Sequence, residues 1–305
     1  MTVKWNCFFW WISLVAITSC ASRKEVYMFT SFHEPANEGL RLLYSDDGYH
    51  WNDLNRIFLK PEVGSKVMRD PSIVKGPDKT YHLVWTCGWK GDKGFGYANS
   101  KDLIHWSPEK FIPVMEHEPT TVNVWAPELY YDNKENQFII IWASTIPFRF
   151  PKGIEEEENN HRMYYTTTKD FNAFSESKLF FDPGYSVIDA VILKERENDY
   201  ALLVKDNTRP NRNIKVAFGK NALGPYTGTS EPFTESFTEG PTVVKVNDEW
   251  IIYYDAYKEK KYGAVKTKDF RNFTAASKEI SIPEGHKHGT IFKIPKSMIK
   301  TLLKK

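Results

Sequence analysis

The sequence predicts an all-β fold, a five-bladed β-propeller whose ring is closed by strands from the two ends of the chain, and three observations lead there. A short phrase recurs five times: Ser45-x-Asp47 running to Trp51, Ser100-x-Asp102 to Trp106, Thr168-x-Asp170 to Phe174, Lys220-Asn221 to Tyr226, and Thr267-x-Asp269 to Phe273. Its Asp or Asn positions are 55, 68, 51 and 48 residues apart, and self-similarity at roughly fifty residues marks a propeller or an array. Each copy follows two runs that read as strands, so the unit is a small antiparallel sheet closed by an Asp turn and an aromatic plug. Finally, 41% hydrophobic and 15% aromatic residues in a chain of 305 supply a large core suited to sheets.

Taken in order, the chain begins with Lys4 and an apolar stretch, Phe8 to Ile17, too short to span a bilayer and fitting a secretory signal. Ile17-Thr18-Ser19-Cys20 resembles a bacterial lipobox, so residues 1–20 are expected to be removed as a leader, with Cys20 lipidated and residues 21–25 forming a tether. The propeller is expected over residues 26–295. Its strands read as Glu25–Phe32, Leu40–Tyr44 and Ile57–Lys60; then Asp70–Lys75, Tyr81–Thr86, Gly94–Asn99 and Phe111–Val114. Next come Ala126–Tyr131, Phe138–Ala143, Met163–Thr168 and Leu179–Phe181, then Asp189–Lys194, Tyr200–Lys205, Ile214–Phe218 and a weak strand near Phe233. The last set is Glu239–Val246, Trp250–Asp255, Tyr262–Thr267 and Glu279–Ile282. One strand, Thr290–Ile294, remains to complete the three-stranded opening set, which removes the exposed edges of an open array. Residues 296–305 read as a short amphipathic helix or a frayed tail. The long second interval holds an insertion, Ile146–Arg162, whose glutamates Glu155–Glu158 read as a solvated loop tip and whose Phe148 and Phe150 could border a pocket.

A formal charge of +2 with scattered Lys and Glu gives no basic stripe, which argues against a nucleic-acid partner. If Cys7 leaves with the leader and Cys20 carries lipid, Cys87 stands alone and no disulfide framework exists. Its neighbours Trp85 and Trp89 make it a packed core thiol.

A propeller points the first strand of every blade at the axis. The heads of those strands are Asp70-Pro71, Ala126-Pro127-Glu128, Asp189-Ala190, Glu239-Gly240-Pro241 and His288-Gly289, so ionisable groups gather in runs that are otherwise apolar. Three acids and a histidine in a partly buried funnel are costly unless paired or used. Carboxylates held apart across a cleft suit glycoside hydrolysis, one giving a proton to the leaving oxygen and one activating water from the opposite face. A third carboxylate near the acid would raise its pKa. Trp85, Trp89, Trp125 and Trp142 lie near the funnel as candidate sugar platforms.

Arg69-Asp70-Pro71, Trp125-Ala126-Pro127-Glu128, Ile188-Asp189, Glu239-Gly240-Pro241 and His288-Gly289, in that order, resemble glycoside hydrolase family 43 over nearly the whole mature chain. The resemblance implies a five-bladed propeller that hydrolyses arabinose- or xylose-containing glycans with inversion, as an α-L-arabinofuranosidase or a β-xylosidase. It implies Asp70 as general base, Asp189 as the residue that orients and tunes the acid, and Glu239 as general acid. Arg69, Trp89, Trp125, Glu128 and His288 would bind substrate, with Lys205 a further candidate. No cofactor is required, although some members of the family hold a calcium ion or an ordered water beside the residue matching His288. Glu128 departs from the family's usual Asp. The motifs also resemble those of a fructan-cleaving relative, family 32, but its Asn-Asp-Pro-Asn motif is missing from Phe29 to Pro35. A glycan-binding propeller without catalysis is the alternative from another class. The expected partner is an oligosaccharide or polysaccharide, the expected form a monomer, and the expected location the envelope of a bacterium, through the lipid anchor.

Overall fold

In a computed structural model, which describes Met1 and residues 24–304, the chain forms the expected propeller; the leader, Cys20 and residues 21–23 fall outside the described residues, Met1 apart. Among the described residues there are five small antiparallel sheets. Blade 1 contains β1 (Glu25–His33), β2 (Arg41–Ser45) and β3 (Asn52–Asp53). Blade 2 is β4 (Arg69–Lys75), β5 (Tyr81–Thr86), β6 (Phe95–Ser100) and β7 (Lys110–Ile112). Blade 3 is β8 (Trp125–Asp132), β9 (Gln137–Ser144), β10 (Arg162–Thr168) and β11 (Lys178–Phe181). Blade 4 is β12 (Val187–Arg196), β13 (Asp199–Asp206), β14 (Asn213–Gly219) and β15 (Tyr226–Thr227). Blade 5 is β16 (Thr238–Val246), β17 (Glu249–Ala256), β18 (Lys261–Thr267) and β19 (Phe273–Ala275). Two final pieces, β20 (His286–Lys287) and β21 (Ile291–Pro295), pair with the same edge of β1 and close the ring, after which α1 (Lys296–Leu302) packs Ile299 and Leu302 into the core.

Three outer strands differ from the sequence expectation. The third strand of blade 1 is Asn52–Asp53, because Asn55 turns left-handed (φ 53°) and pairing resumes only at Leu59, which faces Leu40. In blade 4 the fourth strand is Tyr226–Thr227, whereas the run towards Phe233 donates to β14 through the backbone at Ser230 and Phe233, with Pro232 lacking a donor between them. Residues 279–282 are not the outer strand of blade 5. Ser281 instead bonds the Tyr49–Trp51 turn of blade 1, tying two blades together.

The recurring phrase is a turn between the third and fourth strands, on the face opposite the inner-strand heads. In four copies a Ser or Thr oxygen accepts the N–H three residues on, and the Asp carboxylate accepts the next two N–H groups, as at Ser100 with Leu103 (2.9 Å) and Asp102 with Ile104 and His105 (2.9 and 2.8 Å). The residue bonded by the hydroxyl is left-handed: Gly48, Leu103, Phe171 and Phe270. In three copies that residue, rather than the later aromatic, is the fully buried plug. The Lys220-Asn221 copy closes differently, through the Asn221 carbonyl.

The insertion between β9 and β10 is not a solvated tip. Glu155 is 1% exposed and accepts the backbone N–H of Arg209 at 2.7 Å, Glu157 accepts from the Phe148 N–H, and Glu158 pairs with Lys90. Phe150 packs under the buried Arg162 guanidinium and Phe148 faces solvent, so neither borders the central pocket.

Candidate active site

Inner strands of a closed propeller must let side chains reach the axis without colliding, and each does so with one extra residue at the same point. Arg69 faces Thr86 while Ser72 faces Val84; Trp125 and Glu128, Ile188 and Val191, and Glu239 and Thr242 repeat this shift on their own neighbours. Two residues oppose one, which is a β-bulge, a device that re-aims side chains. Its first residue is left-handed in all four: Asp70 (φ 52°), Ala126 (45°), Asp189 (53°) and Gly240 (57°). Asp tolerates this conformation better than most residues. Position 240 must be Gly, since a Cβ there would lie 2.0 Å from Cγ of His288.

The bulges correct the sequence alignment. Glu239 is not the counterpart of Asp70 and Asp189; Gly240 is. Glu239 stands one step nearer the mouth, level with Arg69, Trp125 and Ile188, while Glu128 stands deeper, level with Ser72, Val191 and Thr242. The arrangement is therefore tiered rather than a single ring.

Asp70 is buried. One carboxylate oxygen lies 3.0 Å from Nε2 of His288 in a close ion pair that is off the aligned hydrogen-bond direction, and the other accepts from Thr86 Oγ1 at 2.8 Å. Although burial alone would raise it, the charge of His288, with Arg69 and Thr86 adding, holds the carboxyl at about 2. Reciprocally, burial opposes the imidazolium but Asp70, Asp189 and Glu239 push His288 up to about 9. Asp70 is thus an ionised carboxylate at neutral pH.

Asp189 accepts the Gly240 N–H at 3.0 Å, and burial raises its pKa. Glu239 has the opposite fate: burial raises it, but Lys205, donating to Oε2 at 2.7 Å, and His288 bring it below its ordinary value. In the free protein burial thus shifts Asp189 upward, whereas Lys205 and His288 shift Glu239 downward. Glu128, along the axis, receives Thr290 Oγ1 at 3.4 Å, and burial takes it up to about 7. It lines a chamber of about 20 Å³ with Asp70, Asp189 and His288, room for about one water.

Asp70, Asp189, Glu239, Lys205, Arg69, Trp89, Trp125 and His288 all border one cavity of about 250 Å³, which assembles the predicted residues except Glu128. Trp89 is 59% exposed and lies 4.0 Å under the Arg69 guanidinium, which also pairs with Glu34. Trp125 donates to the Trp89 carbonyl at 2.8 Å and stacks on His161, a buried ring kept neutral by desolvation. Trp85 and Trp142 are fully buried core, and Cys87 is a buried thiol pushed up by burial, with no role in the site. Sequence reasoning missed Asn159, Asn207, Arg212 and Tyr257 in this cavity. Comparing the ends of the second strands in the same register would have drawn attention to Thr86, Lys205 and Asp255, which face Arg69, Ile188 and Glu239.

Calcium takes six to eight oxygen ligands. A charged His288 committed to Asp70 repels a cation, and among the described residues no group of three or more His, Cys, Asp or Glu is arranged to hold a metal. The residues beside His288 therefore do not fit a calcium site.

His288, whose pKa is raised on folding, contributes stability that is complete below about pH 6.5 and lost as pH rises through about 9. His288→Gln should lower the urea midpoint most at pH 6, with the gap to the parent narrowing towards pH 9. A gap that does not change with pH contradicts the charged pair.

Residues 23–299 match the family described as "Probable glycosyl hydrolase domain", a group related to glycoside hydrolase family 43. An α-L-arabinofuranosidase of Bifidobacterium longum is 24% identical over 150 residues, 42% of this chain but 14% of that much longer protein. Among solved structures, an endo-arabinase of Bacteroides thetaiotaomicron is similar at TM-score 0.60 and 17% identity, covering 86% of this chain and 91% of that one. An α-L-arabinofuranosidase of Clostridium thermocellum is similar at 0.56 and 15%, covering 80% and 86%. A putative exo-β-1,3-galactanase of Bifidobacterium bifidum is similar at 0.54 and 12%, covering 75% and 76%. At such identities these structures share the fold, and their differing names do not select a sugar. The family match runs from the first strand of the propeller into the helix that follows the closing strand, and on it this chain belongs to the glycosyl hydrolase family related to family 43.

Proposed function

We propose that the protein is an inverting glycosidase acting on arabinose- or xylose-containing glycans, in the first place an α-L-arabinofuranosidase and in the second a β-xylosidase. One observation carries this: an ionised Asp70 and the Glu239–Lys205 pair, from different blades, face a single sugar-sized cavity with Trp89 and Trp125 on its wall. Asp70 removes a proton from water as the water oxygen bonds the anomeric carbon. The bond to the leaving oxygen breaks, and Glu239 gives that oxygen its proton. Solvent then takes the proton from Asp70 and restores the one on Glu239. A sugar entering the cavity strips water from the Glu239–Lys205 pair, and desolvation favours the uncharged acid the step needs. Asp189, bonded to the peptide that follows Glu239, fixes its position.

The Lys205–Glu239 ion pair, which favours the charged form of Glu239 in the free protein, also favours a second reading, a glycan-binding propeller without turnover, which the same assays separate. Supporting an exported, lipid-anchored protein are the apolar leader with Cys20 and the start of β1 at Glu25, which leaves the propeller on the face opposite the funnel.

Asp70→Asn should lower kcat on aryl arabinofuranosides by at least about 10²–10⁴-fold, the span of general acid–base effects. Glu239→Gln should show a loss of that order only with poor leaving groups, recovering with 2,4-dinitrophenolate. Full activity of Asp70→Asn refutes the base; equal losses for all leaving groups refute the acid. Lys205→Met should move the alkaline limb of kcat/KM to higher pH, because it releases Glu239 from the charge that lowers it. An unmoved limb shows that Lys205 does not set the acid.

A further inference from the structure

Charge around the cavity that contains Asp70 does not balance, and the surplus sits on one residue. Four cations border it, Arg69, Lys205, Arg212 and His288, against three carboxyls, Asp70, Asp189 and Glu239. Three of the cations have carboxylate partners: Arg69 in Glu34, Lys205 in Glu239 and His288 in Asp70. Arg212 has none. Every other described arginine holds a carboxylate or a carbonyl, whereas the Arg212 side chain meets no such partner among the described residues, and its Nε is buried without an acceptor.

The backbone beneath this spare cation is fixed. Arg212, in the loop between β13 and β14, is left-handed (φ 49°), a conformation that a long side chain keeps only where its surroundings impose it. Its N–H donates to the Thr208 carbonyl at 3.2 Å, and its own carbonyl accepts the N–H groups of Phe237 and Thr238 at 2.9 and 3.1 Å. Those two residues lead directly into Glu239, so the strand that carries the acid is pinned to the loop that carries Arg212. Tyr257, which borders the same cavity, also buries a hydroxyl that has no partner.

We infer that Arg212 takes a carboxylate of the substrate, so that the glycan cleaved here is an acidic one, an arabinose- or xylose-containing chain with a uronic acid next to the bond that breaks. This rests on the glycosidase reading given above. A carboxylate fits better than a sugar hydroxyl for two physical reasons. The transition state of glycoside hydrolysis is oxocarbenium-like and gathers positive charge on the sugar, which an unpaired guanidinium in the same cavity opposes. A substrate carboxylate turns that opposition into a pair, whereas a neutral glycan leaves it in place. The planar guanidinium also matches a carboxylate through two parallel hydrogen bonds, and a carboxylate only accepts, which suits Arg212 and Tyr257 as donors without acceptors. Arg69 is not an equivalent candidate, since it is already committed to Glu34 and stacked on Trp89.

Two sets of oligosaccharides test this, one with a uronic acid next to the scissile arabinose or xylose and one with the same carboxylate reduced to a primary alcohol. Hydrolysis is followed by product chromatography in the parent, Arg212→Asn and Arg212→Lys, and binding to the Asp70→Asn protein by tryptophan fluorescence. Asn suits the left-handed position, and circular dichroism establishes that each variant is folded. The parent should favour the acidic set in kcat/KM by about 10-fold or more, as a hydrogen bond between charged groups supplies. Arg212→Asn should abolish the preference, and Arg212→Lys should retain part of it. Equal kcat/KM for the two sets in the parent, which needs no variant, overturns the inference and leaves the glycosidase reading standing; so does a preference that survives in folded Arg212→Asn. Binding that favours the acidic set and is lost when Arg212→Asn is added, without turnover of either set by the parent, overturns the glycosidase reading and leaves the carboxylate site. Neither binding nor turnover with any member of either set overturns both.

Discussion

The contact between His288 and Asp70 joins the last part of the chain to its first complete blade, and both ring and site depend on it. His288 sits where β20 breaks and β21 begins, so the residue that closes the propeller is also the charge that keeps Asp70 ionised inside a buried funnel. A buried carboxylate without such a partner takes up a proton instead. Closure and chemistry are thus one constraint. The absence of a side chain at Gly240, against which the imidazole packs, meets it from a third blade.

Around that pair the site is built by repetition with variation. One bulge, placed at the same register in successive inner strands, delivers Asp70, Ala126, Asp189 and Gly240 to the axis in a conformation that non-glycine residues seldom adopt. The residue before each bulge, nearer the mouth, carries Arg69, Trp125, Ile188 or Glu239. Two tiers of opposite character result. In the deeper tier charges are fixed by neighbouring blades, and in the upper tier Glu239 and Lys205 can respond to whatever fills the cavity. The insertion in blade 3 then shapes the opening by tying loops of three blades together.

Much of this was legible in the sequence because propellers repeat. The Asp turns gave the period, the period gave the register, and the register drew attention to Asp70, Asp189 and His288. Glu239 was found but misaligned by one residue, since Glu-Gly-Pro and Asp-Pro look like equivalent starts until the bulge shows that Gly240 is the aligned position. The acidic run was misread because Glu155 finds Arg209 across 54 residues of sequence, a pairing that no local pattern encodes. Outer strands were misplaced where single residues decided: Asn55 turning left-handed, and Pro232 lacking a donor. The balance between Asp189 and Glu239 was also out of reach, since it depends on Lys205 arriving from a neighbouring blade.

The central claim is that Asp70 and Glu239 act from opposite faces of one sugar. Inverting sites keep their two carboxyl groups about 6.5–9.5 Å apart to admit water, whereas retaining sites bring them to about 5–5.5 Å. Proton NMR of the first minutes of hydrolysis of an α-L-arabinofuranoside reads the outcome directly. The account predicts β-arabinose as the first anomer, with the α form growing in by mutarotation. Appearance of the α-anomer first would contradict it.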